Sequence, residues 1–312
     1  MWCRVFRQKQ AHLSVCKAWY SVGLPFLYEH IHVRFIPQLM RLLETLWNTG
    51  QDFRRFVKSI SFYCIIPTSY AERFKDKLKL FFSLCPNAKA FSYLSSCPLP
   101  SVTYLGVLPA HITHLCFGNN ISCEALMNTL KIASQNLVSL SFVSPDRPAG
   151  LSNLDMKSND SIQFPDLEIL SCERRHGTMF LNNVAASWSM PRIKRLTLRC
   201  PYDVGREVAN FCQQHGAGLT FFNMVPSYIC DSWKDPFTDL GDVLDLCPAL
   251  EHIVIHPRAV GYLNHPRIRS DSVSGSEISD SLSLIDWELL PRQNLPRSRS
   301  FLHNYFFHPN RF

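Results

Sequence analysis

The chain has 312 residues, of which 46% are hydrophobic and 18% charged, and 32 Lys and Arg against 25 Asp and Glu give a formal charge of +7. That composition belongs to a folded globular chain and excludes a disordered polymer, and no apolar run approaches the roughly 20 residues a membrane-spanning helix needs. The opening MWCRVFRQKQ leads into no apolar stretch of the secretory kind, so the expected compartment is cytoplasm or nucleus, with no membrane partner.

In chain order, HLSVCKAWYSVGLPFLYEHIHV (12–33) opens the patterned part. Leu39, Leu42, Leu43, Leu46 and Trp47 then share one face of a helix over 37–47, with Pro37 at its first turn. A strand follows in VKSISF, starting at Val57. The helix pattern returns over 71–85, with Phe74, Leu78, Phe81 and Cys85 on one face. Further on, helices are expected over 122–134, 204–216 and 237–247, and Gly216 suits the end of the second of these.

Strand VKSISF is the first of eight segments on one template, h-x-x-h-x-h, where h is apolar. The others are AKAFSY at Ala88, ITHLCF at Ile112, LVSLSF at Leu137, LEILSC at Leu167, IKRLTL at Ile193, LTFFNM at Leu219 and LEHIVI at Leu250. Successive first positions lie 31, 24, 25, 30, 26, 26 and 31 residues apart, an average of about 28 and near the leucine-rich-repeat period. The final h-x-h alternates as a strand with one buried face must. Proline two residues ahead of the apolar position, as in CPNA, FPDL, MPRI and CPAL, ends a helix and sets an extended entry. Strand and helix alternating at this period predict an α/β solenoid, with a parallel sheet on the concave face, helices on the convex face and a short helical N-terminal cap.

The pattern resembles the L-x-x-L-x-L core of leucine-rich repeats. It departs from the family at the Asn that normally follows: Asn120 occupies it once, while Pro145, Arg175, Pro201 and Ser227 stand elsewhere. The 12–33 segment resembles the second half of an F-box, with Leu13, Val15, Cys16, Trp19, Pro25, Leu27 and Tyr28 in the family's pattern. LCPALEHIVIHP (246–257) and the later NHP resemble the ends of fungal F-box proteins with leucine-rich-repeat-like domains. The resemblance implies a substrate receptor that brings a target protein to an SCF-type ubiquitin ligase through a Skp-type adaptor. The family's opening Leu-Pro helix has no counterpart before Leu13. Val15, Cys16 and Trp19 are therefore expected to cap the first core layer rather than to bind an adaptor. The competing expectation is a repeat scaffold without a ubiquitin-ligase connection. The organisation expected is a partial F-box over 1–33, a repeat domain over 34–265, and a Ser-rich segment with an irregular tail over 266–312. That tail reads either as flexible or as a phosphorylated regulatory segment.

No chemistry-bearing motif emerges. There is no nucleophile elbow, phosphate-binding glycine loop or dinucleotide fingerprint, so no enzyme activity and no cofactor are expected. Twelve cysteines include no C-x-x-C pair, which speaks for reduced core thiols over zinc or disulfides. The short basic groups (Arg54, Arg55, Lys58; Arg192, Lys194, Arg195, Arg199) fit a solvated surface better than a nucleic-acid track. If the apolar positions face the core, the residues two, four and six places after the first face the concave groove. Its later half gathers Glu173, Arg195, Thr197, Arg199, Phe221, Asn223, His252 and His256. Arg and aromatic side chains anchor protein interfaces, so this face is the expected target site, set against the alternative of a merely solvated sheet.

Overall fold

A computed structural model describes residues 15–48, 53–94, 108–118, 121, 123–143, 161–173, 180–200, 205–226, 244–255 and 285–288. Among them the helices are α1 (Lys17–Glu29), α2 (Ile36–Asn48), α3 (Ala71–Leu84), α4 (Cys123–Ala133), α5 (Phe180–Ser187) and α6 (Gly205–His215). The strands are β1 (His30–Val33), β2 (Ser59–Phe62), β3 (Ala90–Tyr93), β4 (His114–Phe117), β5 (Ser139–Val143), β6 (Ile162–Gln163), β7 (Ile169–Glu173), β8 (Trp188–Ser189), β9 (Arg195–Cys200), β10 (Phe221–Pro226), β11 (His252–Ile255) and β12 (Ile285–Glu288).

The protein is α/β. One sheet runs in chain order β1-β2-β3-β4-β5-β7-β9-β10-β11-β12, with every neighbour parallel except β12, which pairs antiparallel with β11. It does not close into a barrel. Each of the eight template segments forms a strand that starts two residues after its first apolar position. Those first positions, from Val57 to Leu250, are at most 2% exposed.

The backbone explains the repeated entry. In six repeats the first apolar residue closes a β-turn by donating its N–H three residues back, as in Ala88 to Cys85, Ile193 to Met190 and Leu250 to Cys247. Pro86, Pro191 and Pro248 sit second in these turns, where a fixed φ near −65° is favoured. The next carbonyl then accepts two N–H groups from the following repeat. Lys58 receives Lys89 and Ala90, Lys89 receives Thr113 and His114, and the same doubled bond recurs from Thr113, Val138, Glu168, Lys194 and Thr220. These seven joints, from β2–β3 to β10–β11, are thus locked in one register.

In-register pairing stacks like residues on like. Ile60, Phe91, Leu115, Leu140, Leu170, Leu196, Phe222 and Ile253 form one continuous buried row. Helix side chains close over it: Phe62 meets Phe74 edge-on at 5.1 Å, and Phe91 lies 6.2 Å from Phe82. α3 buries Phe74, Leu78 and Phe81, with Cys85 just beyond it, as the spacing predicts, and α2 buries Leu39, Leu43 and Leu46. Trp47 departs from its expected face and is 67% exposed, while Leu46 beside it in the same turn is buried, so the buried stripe of α2 runs through Leu39, Leu43 and Leu46 only.

Neither α5 nor a small parallel sheet of β6 and β8, which pairs Ile162 with Trp188, was legible. Trp188 packs 5.0 Å from Phe164 and 6.1 Å from Phe142. The 237–247 helix is described only over its last turn, 244–246. Asn120, Pro145, Arg175, Pro201 and Ser227 lie outside the described residues.

The ends bring corrections. HIHV (30–33) is a strand that starts the sheet, and Leu24 and Val33 belong to the common core, so the core reaches across residue 34. Val15, Cys16 and Trp19 do not cap it: all three are exposed. The capping contact comes from the other side of α1, where Leu24 is buried and Tyr28 stacks on Phe53 at 4.8 Å. Leu13 lies outside the described residues. Pro25 is inside α1, Leu27 is half-buried and Tyr28 partly buried. Within 266–312, Ile285–Glu288 adds a final strand. Cys64, Cys85, Cys172, Cys212 and Cys247 are buried thiols outside any disulfide.

Candidate interaction face

The face of the sheet turned away from the core mixes polar and apolar side chains and is partly exposed. Register assembles it in rows. One row runs Ser139, Ile169, Arg195, Phe221, His252, and the next runs Ser141, Ser171, Thr197, Asn223, Val254. A third holds Val143, Glu173, Arg199 and Val225. Glu173, Arg195, Thr197, Arg199, Phe221, Asn223 and His252, expected from the sequence to share a surface, therefore come from four consecutive strands of the sheet. His256 lies outside the described residues.

Two contacts organise the patch. The guanidinium carbon of Arg195 stands 4.6 Å from the centre of the Phe221 ring. An exposed cation–π pair of this kind contributes about 0.5–1 kcal/mol, enough to orient the side chain while leaving its N–H groups for a ligand. Arg199 Nη1 lies 3.9 Å from Glu173 Oε2, with both side chains about a third to a quarter exposed. At that separation the pair is at the limit of an ion pair, worth about 0–1 kcal/mol in water. Between them, the Oδ1 of Asn223 is buried and accepts no hydrogen bond within the described structure. A buried acceptor without a donor costs about 1–3 kcal/mol, which an N–H from a bound segment would offset.

The earlier half of the face differs. Ser61, Ser92, Cys116, Ser141 and Ser171 make a small-residue row. Burial pushes the Cys116 thiol up, against a hydrogen bond to Ser141. Burial, aided by Lys89, lowers His114. Sequence reasoning missed His30 and His32, which begin the first two rows: His30 Nδ1 lies 2.8 Å from Ser59 Oγ, and His32 packs 5.7 Å from Tyr63. The signal was present, since Ile31 and Val33 keep the same alternation as the later strands.

Among the described residues no three His, Cys, Asp or Glu groups gather to hold a metal ion, and no helix is long and apolar enough to cross a membrane. No protein-family model matches the chain, and no curated protein matches it at a significant level.

Proposed function

We propose that this chain is a leucine-rich-repeat-like solenoid that holds a target protein on the concave face of its sheet. In this reading it is an F-box-type substrate receptor that brings the target to an SCF-type ubiquitin ligase, acting in the cytoplasm or nucleus without catalysis of its own. The observation that carries the reading is the convergence of Glu173, Arg195, Thr197, Arg199, Phe221, Asn223 and His252 on one face through the strand register. Parallel strands in chain order, at a period of about 28 residues with helices between them, support the solenoid.

The target chemistry follows from the two arginines. Arg195 and Arg199 lie four residues apart on β9, so on one face at a separation of about 13 Å. An acidic or phosphorylated segment laid along the strand meets both, and charge-assisted bonds to guanidinium are among the strong ones. Affinity capture with the double variant Arg195→Glu/Arg199→Glu tests this. The expected result is loss of the target recovered by the native chain; undiminished recovery would sink the assignment.

The competing reading is a repeat scaffold with no ubiquitin-ligase connection. Co-purification with a Skp-type adaptor separates the two.

A further inference from the structure

Formal charge is rare in the parallel strands of the sheet. Among the described residues of β1–β5, β7 and β9–β11, only Glu173, Arg195 and Arg199 are Asp, Glu, Lys or Arg. All three lie on β7 and β9, which are neighbours.

β9 and its entry carry four cations, Arg192, Lys194, Arg195 and Arg199. Each faces a residue of the preceding repeat 26 positions earlier. For three of them that residue is a carboxylate. Arg192 Nη1 lies 2.6 Å from Asp166 Oδ1, Lys194 Nζ 2.8 Å from Glu168 Oε1, and Arg199 Nη1 3.9 Å from Glu173 Oε2. For Arg195 it is Ile169, and the register partner on its other side is Phe221. Arg195 is exposed, and among the described residues no carboxylate lies within ion-pair distance of it.

The two arginines of the face therefore differ. Apolar partners on both sides leave the charge of Arg195 whole. At Arg199 the Glu173 carboxylate offsets the guanidinium, so a second anion laid there is attracted by one partner and repelled by the other. An amide suits that pair, because its N–H donates to the carboxylate while its oxygen accepts from the guanidinium.

We propose that Glu173 is a specificity-determining residue of this face, confining the demand for an anion to Arg195. The target then carries one acidic or phosphorylated side chain rather than an acidic tract, with an uncharged polar residue at the Arg199 end. In an extended segment laid along β9 these two positions are four residues apart, since about 13 Å separates the arginines. This inference rests on the target reading and adds the charge that each position selects.

Fluorescence anisotropy of the full chain with two synthetic peptides tests it. Both carry one phosphoserine, and they differ only at the positions four residues to either side of it, Gln in one and Glu in the other. The native chain is expected to bind the Gln peptide as tightly as the Glu peptide, or up to about twofold more tightly, because the pair at Arg199 is offset. Glu173→Gln removes the repelling charge, and the Glu peptide then gains about threefold, the worth of one surface charge pair. Arg199→Gln turns the preference to the Gln peptide by about the same factor. Arg195→Gln weakens both peptides about tenfold or more, since the charge-assisted bond to phosphate is lost. A threefold preference of the native chain for the Glu peptide overturns the proposal, and so does a preference that Glu173→Gln leaves unmoved. The target reading survives either result. Peptides that do not bind, or whose binding is indifferent to Arg195→Gln, sink both.

Discussion

Arg195 and Phe221 are register partners on β9 and β10, and the guanidinium rests 4.6 Å above the ring centre. The phenyl ring thus holds the charge that the target is proposed to meet. A double-mutant cycle over Arg195→Ala and Phe221→Ala in urea unfolding should return a coupling of about 0.5–1 kcal/mol. Zero coupling would mean that the two side chains act independently. Phe221→Ala alone should also weaken target capture, though less than the double charge reversal, because the cation remains while its orientation is lost.

Gly216 follows α6 where a left-handed cap glycine was expected, yet steric room is what holds glycine there. A Cβ added to it would come within 2.8 Å of both Cys247 Sγ and the Leu246 carbonyl oxygen. Glycine-to-alanine changes in compatible backbone stabilise by about 0.4–1 kcal/mol through the unfolded chain. Here the sign should reverse. Gly216→Ala is expected to destabilise by about 1–3 kcal/mol through overpacking, measured as a lower urea midpoint. Adding Cys247→Ala should recover only part of the loss, because the Leu246 oxygen is backbone and stays.

The thiols divide by burial. A hydrogen bond to Cys247 and burial push the Cys212 thiol far above its ordinary range, so it stays protonated and inert at neutral pH. Cys16 is exposed. Maleimide labelling followed by peptide mapping should modify Cys16 rapidly in the native protein, and Cys212 and Cys247 only after denaturant is added. Labelling of Cys212 at the rate of Cys16 would contradict its burial.

Acid should destabilise the fold through His215. Burial lowers this imidazole below its ordinary 6.5, against a bond to the Ala185 backbone that raises it. The unfolded chain therefore takes up the proton first as pH falls. Stability is fully present above pH 6.5 and is lost as pH falls through the lowered native value. His114, lowered by burial and Lys89, acts in the same direction. Urea midpoints recorded downward from neutral pH should decline below that point, and His215→Gln should flatten the slope without removing it.

The strand positions were legible because one face of each strand must be apolar and the same template recurs. The first apolar residue of each segment proved buried, and the pairing register followed from the shared spacing. β1 escaped notice because HIHV follows directly on the F-box-like residues, although Ile31 and Val33 alternate like the rest. α5 escaped because FLNNVAAS spans only eight residues, about two turns, too short to set a helical period apart from a chance run of apolar residues. The exposure of Val15 and Trp19 was not legible either. An apolar stripe reads the same whether it meets the core or points away, and only the rotation of α1 about Leu24 and Tyr28 decides between them. Periodicity placed the residues of the proposed target face in shared rows, but not their contacts: the Phe221 ring under Arg195 and the buried acceptor of Asn223 are products of register.

The doubled carbonyl bond at the joints from β2–β3 to β10–β11 also bears on how the chain is made. Except for β12, each strand of the main sheet pairs in parallel with its predecessor in that sheet, never more than about 31 residues behind it. A nascent chain emerging at about 5–20 residues per second therefore exposes a complete docking unit every few seconds, and that unit needs nothing still inside the ribosome. Assembly can advance like a row of bricks laid one on the last, with a fresh open edge at the growing end until β12 arrives to cover it.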